Sequence, residues 1–544
     1  MQVVDVIAHC LKEEGTEILF AYPVNYLIES AAKLDIRTII VRQERIGLHM
    51  ADAISRLSSG DKIGVFCMQS GPGSENAFGG VAQAFGDSAP IVVLPGGYPR
   101  PINQVQPNFN SAQSYASVTK SSEQLTTPEM TADAIRRAFA AVRNGRPRPA
   151  LVEIPADIAS AEVEEFSYQP VQRVRYGPDP ADVERAADML VAAERPVIYA
   201  GQGVHYAKGW DALKELAELL EAPVTTTLNG KSAFPETHPL SLGSANRSHT
   251  RAVGEFLNSA DVIFGIGCSF SFTNFGVRMP TGKTIIHATL DPADVNKDVA
   301  SQHALIGDAE LTLRALIAAV SERLGGQPRG RQAGIAAKIA EINRKWEADW
   351  AAKLNSDEAP LSPYRVIRDL YDSVDVANTI ITHDAGSPRD QLSPFWKSIT
   401  PLSYIGWGKT TQLGYGLGLA MGAKLACPDK LCINVWGDAA IGFTGMDFET
   451  AVRERIPILS VLFNNFSMAI EIPIMPVSQE KYGATDISGN YAKMAEAFGG
   501  YGERIETPDQ IIPAIERGIR KTEEGVPALL EFITAKETEI PQHM

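Results

Sequence analysis

Residues 431–471 read LCINVWGDAAIGFTGMDFETAVRERIPILSVLFNNFSMAIE, and this stretch decides the fold of the chain. Its hydrophobic pattern predicts an apolar strand over 431–436 and then a turn of small residues. An amphipathic helix is predicted over 446–455, with Met446 on its apolar face, and a second strand over 458–463. A strand, a helix and a strand in this order predict two neighbouring strands of a parallel sheet.

Each of these two predicted strands is followed by a polar residue, Asp438 in the first case and Asn465 in the second. The carboxyl ends of parallel strands lie on one edge of the sheet, where such folds bind their ligands. Both side-chain oxygens can therefore meet at one cation. Mg²⁺ prefers oxygen ligands and is readily shared with phosphate groups, so the sequence favours a Mg²⁺–diphosphate site. The alternative is an ordinary buried unit in which Asp438 caps a helix.

The composition is that of an acidic protein with several domains. A chain of 544 residues is too long for one hydrophobic core, and typical domain sizes suggest three. The net charge of −15 argues against nucleic acid and anionic membranes as partners. No apolar run reaches the roughly 18 residues of a membrane span, and the first residues do not resemble a signal peptide. We therefore expect a cytoplasmic protein that acts on a small-molecule substrate.

Strand and helix patterns alternate along most of the chain, which predicts an α/β fold of doubly wound parallel sheets. Domains are predicted over residues 1–170, 180–330 and 355–544, separated by a Pro- and Gly-containing linker at 172–180 and a charged helical segment at 326–354. The predicted strands cover residues 17–21, 37–41, 63–68, 90–94, 150–154, 196–200, 260–265, 284–290, 379–382, 431–436, 458–463 and 528–533.

The sequence Gly437-Asp438-Ala439, followed by Asn464-Asn465, resembles the GDG…NN motif of thiamine-diphosphate (ThDP)-dependent enzymes, with Ala439 in place of the third-position glycine. Similar segments cover nearly the whole chain and point to the superfamily of pyruvate decarboxylase, acetolactate synthase, oxalyl-CoA decarboxylase and 2-hydroxyacyl-CoA lyase. The resemblance implies a pyrimidine-binding domain, a Rossmann-like middle domain and a diphosphate-binding domain, in that order. It also implies ThDP and Mg²⁺ as cofactors.

In the third domain, the resemblance implies that Asp438, Asn465 and the backbone carbonyl of Ser467 bind the metal. Leu413 would hold ThDP in its bent shape, and the carbonyl of Thr411 would accept a hydrogen bond from the 4′-amino group. The diphosphate would lie against backbone amides and a hydroxyl group. The implied cofactor contacts of this domain are Gly386, Ser387, Thr411, Leu413, Gly437, Asp438, Ala439, Ala440, Asn465, Ser467 and Met468.

Glu44, which follows a predicted strand of the first domain, lies where the family has its cofactor-activating glutamate. There it would be both catalytic and in contact with the cofactor, because its carboxyl group would share a proton with the pyrimidine ring. The segment Ser70-Gly71-Pro72-Gly73 is close to the family's SGPGATN and supports this alignment. The alternative is a solvated acid paired with Arg42 or Arg45.

Two further residues are candidates for contact with the substrate. Asn25 lies where the pyruvate decarboxylase branch has an aspartate, and Glu471 aligns with the active-site glutamate of the same branch. Both are therefore predicted to be catalytic, although an isolated glutamate is more often a surface charge. The segment 104–113 has neither the His pair of the decarboxylases nor the Phe-Gln of the synthases, so the sequence leaves the substrate open.

In the middle domain, one predicted strand ends at Gly201-Gln202-Gly203 and another ends just before Asp291. In the family this domain binds FAD, ADP or no nucleotide. The third glycine of the dinucleotide fingerprint is missing, so the sequence favours no nucleotide and leaves FAD or ADP as alternatives. Asp291 could bind a ribose hydroxyl group, but an aspartate before proline more often forms a turn.

We expect a ThDP- and Mg²⁺-dependent lyase or carboligase that acts on 2-oxo acids, by decarboxylation and by acetolactate synthase-like carboligation. The closest alternative is a 2-hydroxyacyl-CoA lyase or oxalyl-CoA decarboxylase, because residues 437–450 resemble their version of the motif. A further alternative is an FAD-containing synthase or oxidase. A non-catalytic member of the fold should have lost the activating glutamate, so the presence of Glu44 argues against it. In this family Glu44 faces the diphosphate domain of another subunit, which implies a homodimer or homotetramer with active sites at the interface.

Overall fold

The first domain is built on a six-stranded parallel sheet with the order β2-β1-β3-β4-β6-β5. The computed structural model describes residues 1–542. Strand β3 lies in the interior of the sheet and is buried along its whole length, as expected for a strand covered by helices on both faces. The strands are β1 (Ile18–Ala21), β2 (Arg37–Ile40), β3 (Gly64–Met68), β4 (Ile91–Gly97), β5 (Ser121–Gln124) and β6 (Ala150–Pro155). The helices are α1 (Val3–Glu13), α2 (Leu27–Ala32), α3 (Glu44–Leu57), α4 (Pro72–Gly86), α5 (Ser111–Ser114), α6 (Thr131–Arg143) and α7 (Ala156–Ala159).

The middle sheet is also parallel, with the order β12-β11-β10-β7-β8-β9. Its strand order reverses between β10 and β7, which is the switch point where Rossmann-like sheets open a ligand crevice. The strands are β7 (Pro196–Ala200), β8 (Val224–Thr226), β9 (Ser241–Ser244), β10 (Val262–Ile266), β11 (Thr284–Thr289) and β12 (His303–Ile306). The helices are α8 (Pro180–Ala192), α9 (Gly203–Ala207), α10 (Trp210–Leu220), α11 (Arg251–Ser259), α12 (Ala309–Leu324) and the connecting α13 (Gln332–Leu354).

The third sheet has the order β14-β13-β15-β16-β18-β17, the same pattern as the first sheet, so these two domains share one sheet topology. The strands are β13 (Thr379–His383), β14 (Tyr404–Ile405), β15 (Leu431–Gly437), β16 (Leu459–Asn464), β17 (Tyr501–Ile505) and β18 (Ala528–Ile533). The helices are α14 (Pro363–Ser373), α15 (Ser387–Phe395), α16 (Tyr415–Ala426), α17 (Asp438–Thr444), α18 (Phe448–Arg453), α19 (Pro476–Tyr482), α20 (Tyr491–Ala497) and α21 (Ile511–Glu523).

The predicted fold class is confirmed, and all the predicted strands occur within about three residues of their expected ends. The strands that the sequence did not predict are β5, β8, β9, β12, β14 and β17. All of these except β8 lie at a sheet edge. An edge strand is covered less completely, so its hydrophobic pattern is weak, and β8 has only three residues.

One local prediction, the structure of residues 437–455, was wrong. The predicted small-residue turn is the helix α17, and the predicted helix is a 3₁₀ turn followed by the short α18. Met446, which was predicted on the buried face, is 52% exposed. Helix α17 begins directly after β15 ends at Gly437, within the small residues that were predicted to form a turn. The helix therefore starts earlier than the apolar pattern predicts.

The first and third domains of the same chain contact each other through α3 and α16. Gly418 and Gly422 lie one turn apart on α16, where a Cβ atom would come within 2.6 Å of His49 Cβ and 2.5 Å of the Met50 carbonyl oxygen, respectively. Only glycine lets the two helices approach this closely. None of the helices in residues 1–542 is long and apolar enough to cross a membrane.

Candidate active site

Asp438 connects the ends of the two neighbouring strands that the sequence singled out. Its Oδ2 atom accepts hydrogen bonds from the backbone N–H groups of Asn465 and Ser467, both at 3.1 Å. Its Oδ1 atom accepts from Ala439 N at 2.9 Å. The carboxylate therefore holds the loop after β16 against the start of α17, and the Asp438 side chain is buried.

A cavity of about 320 Å³ opens at this edge of the third sheet. It is lined by every third-domain residue that the family resemblance identified as a cofactor contact, and also by Glu471. Two helices, α15 and α17, begin at its wall; α15 has no side-chain cap at its amino end, whereas in the first turn of α17 the Ala439 N–H group already donates to Asp438 Oδ1. Uncapped backbone N–H groups at a helix start favour a bound anion such as a diphosphate.

The donor set at Asp438 fits a hard divalent cation. The Oδ1 atom of Asn465 is buried and has no hydrogen-bond partner, although an amide oxygen in such a place needs one. Burial raises the pKa of Asp438, because its ionised form lacks water, while the three backbone N–H groups oppose that effect. Residues 1–542 contain no cluster of three or more His, Cys, Asp or Glu side chains able to hold a metal. One carboxylate, one amide oxygen and a backbone carbonyl suit Mg²⁺ shared with a diphosphate.

Asp384, at the end of β13, is a site residue that the sequence did not single out. Its Oδ1 atom accepts from Ala385 N at 2.7 Å and Gly414 N at 2.8 Å, and its Oδ2 atom accepts from Gly416 N at 2.9 Å. Burial raises its pKa to about 6. The carboxylate thus fixes the turn before α15, which lines the cavity, to the start of α16, which follows the cavity residue Leu413. Its position in the His383-to-Ser387 turn was the only available signal.

A buried ion pair that the sequence also missed forms part of the wall. Arg389 and Asp390 are adjacent on α15, and the Arg389 guanidinium donates to both carboxylate oxygens of Asp390. The guanidinium lies 4.7 Å from the ring centre of Phe275 and 4.6 Å from that of Trp407. Phe275 and Arg247 belong to the middle domain and also line the cavity, so that domain contributes to the site.

Glu44 is the first residue of α3 and is 3% exposed, so the alternative of a solvated acid is wrong. Arg42 pairs with Glu449 instead, and Asn76 is a side-chain hydrogen-bond partner of Glu44. Burial raises the pKa of Glu44, which favours its protonated form and suits a carboxyl group that shares a proton. Within one chain, however, Glu44 does not line the cavity beside Asp438.

The turn at Ser70-Gly71-Pro72-Gly73 brings α4 close to Glu44. Gly71 has φ = +64°, and a Cβ atom on Gly73 would lie 2.9 Å from Gln69 Cγ and 3.4 Å from Glu44 Oε1. These glycines are therefore required for close approach within the domain.

Asn25 uses its side chain to hold backbone segments together. Its Nδ2 group donates to the carbonyl oxygens of Met68 and Leu94 at 3.0 and 3.1 Å, and its Oδ1 atom accepts from Leu27 N at 3.0 Å. The two carbonyl groups lie on neighbouring strands, β3 and β4, of the first sheet. Like Glu44, Asn25 does not line the third-domain cavity of its own chain, and its catalytic role stays a prediction.

A second cavity, of about 350 Å³, lies at the switch point of the middle sheet. Gly201 and Gly203 pack against the loop after β10, since a Cβ on Gly201 would lie 2.4 Å from the Gly267 carbonyl oxygen. Close packing therefore accounts for these two glycines. Asp291 caps a turn by accepting from Ala293 N, which is the structural role considered for it. Basic side chains on the wall include Arg146, Arg173, Arg278 and Lys409.

Comparison with known proteins places these domains in one family. Residues 1–117, 183–316 and 384–532 match the models of the thiamine pyrophosphate enzyme N-terminal TPP-binding domain, central domain and C-terminal TPP-binding domain, respectively. Thiamine pyrophosphate is another name for ThDP.

Curated relatives match along nearly the full length. A probable acetolactate synthase large subunit of Methanocaldococcus jannaschii is 30% identical over 98% of this chain and 92% of its own length. The acetolactate synthase isozyme 3 large subunit of Escherichia coli is 28% identical over 93% of this chain and 90% of its own. The chain belongs to the thiamine pyrophosphate enzyme family, with the N-terminal, central and C-terminal domains of that family in their usual order.

Proposed function

We propose that this protein is a ThDP- and Mg²⁺-dependent enzyme that decarboxylates a 2-oxo acid and joins the remaining acyl unit to a second carbonyl compound. The observation that carries the proposal is the cavity at Asp438, where a buried amide oxygen without a partner lies beside a buried carboxylate. The similarity to acetolactate synthases supports the carboligation step.

In this proposal the third domain binds the metal and the diphosphate. Asp438, Asn465 and the Ser467 carbonyl would hold Mg²⁺, while the amino ends of α15 and α17 would donate backbone hydrogen bonds to the diphosphate. When bound, ThDP supplies an electron sink for the carbanion that forms when CO₂ leaves. Leu413 would contact the rings of the cofactor, because its side chain is an apolar part of this wall.

Glu44 and Glu471 would handle protons at opposite ends of the site. The buried carboxyl group of Glu44, with its raised pKa, would exchange a proton with the pyrimidine ring. Glu471 lines the cavity beside Met468 and would face the substrate. Arg247 is exposed at the same wall and brings a positive charge that suits the carboxylate of a 2-oxo acid.

The first test is a thermal-shift titration of chelator-treated protein with ThDP and Mg²⁺, together and separately. A rise in melting temperature only when both are present supports the metal-bridged site. No rise with folded protein would overturn the proposal. Pyruvate and other 2-oxo acids are then compared with acyl-CoA esters as substrates, with detection of CO₂ and of the coupled 2-hydroxy-3-oxo acid.

The CoA-ester alternative rests on residues 437–450 and predicts turnover of oxalyl-CoA or a 2-hydroxyacyl-CoA. The full-length similarity to acetolactate synthases favours free 2-oxo acids instead. Turnover of a CoA ester without turnover of any 2-oxo acid would reverse this preference; the product to detect is CO₂ from oxalyl-CoA, or an aldehyde and formyl-CoA from a 2-hydroxyacyl-CoA.

A nucleotide in the middle domain is a separate candidate. It is supported by the cavity at the switch point and by the basic side chains on its wall. The visible absorption spectrum of purified protein distinguishes a flavin from ADP, which absorbs only in the ultraviolet. If neither is retained or bound on titration, the cavity at the switch point is not a nucleotide site.

The assembly that we propose is a homodimer or homotetramer in which Glu44 completes the cavity of a neighbouring subunit. Two observations support it: Glu44 does not line the cavity of its own chain, and both regions carry exposed apolar side chains. In the first domain these are Val24, Tyr26, Ile102 and Val105, and around the third-domain cavity they are Phe443, Met446, Ile470, Ile474, Val477 and Tyr482.

A further inference from the structure

Residues 408–413 form an extended segment, which we call the strap, between β14 and α16. The strap has no helix or strand structure of its own, yet it carries two residues of the cofactor cavity, Thr411 and Leu413. Its position must therefore be set by contacts with other elements. Those contacts come mainly from one helix of the first domain, α4, and from the residue that follows it, Asp87.

Asp87 is 1% exposed and binds the start of the strap. Its Oδ1 atom accepts hydrogen bonds from the backbone N–H groups of Gly408 and Lys409, both at 3.1 Å, and from Asn229 Nδ2 at 3.1 Å. Backbone N–H groups outside regular structure need such a partner when they are covered. A carboxylate that accepts several hydrogen bonds is a strong and directional anchor.

Gln83 continues the contact one turn earlier on α4 and is fully buried. Its Nε2 group donates to Asp87 Oδ2, and its Oε1 atom accepts from Thr410 Oγ1 at 2.5 Å. One further turn back, the Gly79 carbonyl oxygen accepts a hydrogen bond from Gln412 Nε2. The contact therefore runs in steps of four residues along one face of the helix.

The strap alternates between its two sides, as an extended chain does. Thr410 and Gln412 face α4, while Thr411 and Leu413 face the cavity. Gly79 and Gly86 leave room for this arrangement, because a Cβ atom on Gly86 would lie 3.0 Å from Thr410 Cγ2 and one on Gly79 would lie 2.8 Å from Gln412 Nε2. Helix α4 is thus shaped to receive the strap.

We propose that Asp87 and Gln83 are positioning residues: they hold the strap so that Thr411 and Leu413 meet the cofactor in the cavity of the same chain. This inference rests on the proposed ThDP function. The first domain would then act on two sites, since α4 contacts Glu44 at its first turn and the strap at its end.

The test exchanges the two interacting groups. In Asp87→Asn, the new amide faces the Gln83 amide, and in Gln83→Glu, two carboxylates face each other, so each single variant disrupts the pair. The double variant Gln83→Glu/Asp87→Asn restores it, because the new amide at position 87 would donate to the new carboxylate at position 83. The amide oxygen at position 87 would still accept from the strap. Asp61→Asn is the matched control, since Asp61 bonds Lys208 of the middle domain but not the strap.

Two quantities are measured: hydrogen exchange of residues 406–413 in cofactor-free protein, and ThDP affinity with saturating Mg²⁺. Each single variant should raise exchange of the strap and weaken ThDP binding by about tenfold or more, as expected for an unsatisfied buried group. The double variant should recover both, and the control should change neither. Recovery by exchange of groups separates positioning from a general loss of packing.

The inference fails if strap exchange rises in the single variants while ThDP affinity stays that of the wild type. It also fails if the double variant does not recover. If the wild type itself binds no ThDP, the proposed function has failed, and the inference with it. Should the single variants not fold, Thr410→Val removes the hydroxyl donor from an exposed position, and a few-fold loss in ThDP affinity is expected there.

Discussion

At the scale of single residues, Asp438 has two functions that one carboxylate can serve together. It fixes the loop after β16 through backbone hydrogen bonds, and it is the one acidic group among the three proposed metal ligands. Asp438→Ala should abolish the Mg²⁺-dependent binding of ThDP. The loss of affinity should exceed the ~10–100-fold loss that is typical when a group around a metal site is removed. Isothermal titration with and without Mg²⁺ measures this. Asp375→Ala, which removes the cap of a turn before β13, should bind ThDP like the wild type.

Glu44→Gln keeps the shape of the side chain and removes its proton exchange. We expect ThDP to bind with little change and turnover of a 2-oxo acid to fall by roughly 10²–10⁴-fold. Glu153→Gln is the matched control, because Glu153 is another buried first-domain carboxyl group whose pKa is raised by burial. Turnover of Glu44→Gln close to that of the control would remove Glu44 from the mechanism.

Asp384 gives a prediction for the pH dependence of stability. Its pKa in the folded chain is about 6, above the unfolded value of roughly 3.9. Between these values the folded chain binds more protons, so the free energy of unfolding decreases as pH rises, by about 3 kcal/mol in total from this group. The destabilising effect is fully present above pH ~6 and absent below pH ~4.

Asp384→Asn removes this titration. The melting temperature of the variant minus that of the wild type should therefore rise from pH ~4.5 to pH ~7.5. The hydrogen bonds that the variant loses shift this difference as a whole and do not produce its dependence on pH. Asp375→Asn, at an exposed position, corrects for general effects of pH. A difference that does not vary with pH would contradict the raised pKa.

At the scale of elements, the sequence predicts the parts whose structure depends on local pattern. Interior strands such as β3 and β16 are buried throughout, and the residues after them fall at the sheet edge by geometry alone. This is why the residues around Asp438 could be identified in advance. The edge strand β5, with the polar sequence SSEQ, has no such pattern.

Contacts between domains could not be predicted from the sequence. Asp87 and Gln83 have no motif, and their importance for the strap follows from the packing of α4 against a segment more than 300 residues away. Asp384 lies in the same domain as its partners, but they are 30 and 32 residues away at the start of α16, so no local pattern marks it. Residues whose role depends on long-range contacts need the structure.

The close packing of α3 against α16 gives a testable prediction at the scale of elements. Gly422→Val would bring side-chain atoms against the Met50 carbonyl and Ala53, so the helices must separate. We expect a loss of about 1–3 kcal/mol or more in the free energy of unfolding, measured by urea denaturation. The control is Gly334→Ala on α13, where a Cβ atom meets nothing within 4 Å and a gain of about 0.4–1 kcal/mol is expected. An unchanged midpoint for Gly422→Val would mean that the helices do not pack as described.

At the scale of the whole molecule, the single chain contains every part of the proposed site but does not bring the parts together. The metal ligands and strap line one cavity, while Glu44 and Asn25 lie at a different sheet edge of the same chain. The exposed apolar side chains near both regions are those expected of a surface that a second copy covers. In the assembly that we propose, an interface of this kind would join Glu44 of each subunit to Asp438 of the other.

Complementation between two inactive variants tests this arrangement directly. In a dimer of Glu44→Gln with Asp438→Ala, one site carries both changes and the other carries neither. Random assembly of equal amounts should therefore restore about a quarter of the wild-type sites, because half of the dimers are mixed and each has one intact site. Co-expression with two affinity tags isolates the mixed dimers, whose turnover should be about half that of the wild type. If each chain instead completes its own site, every site in the mixture keeps one change and activity stays at the level of the separate variants.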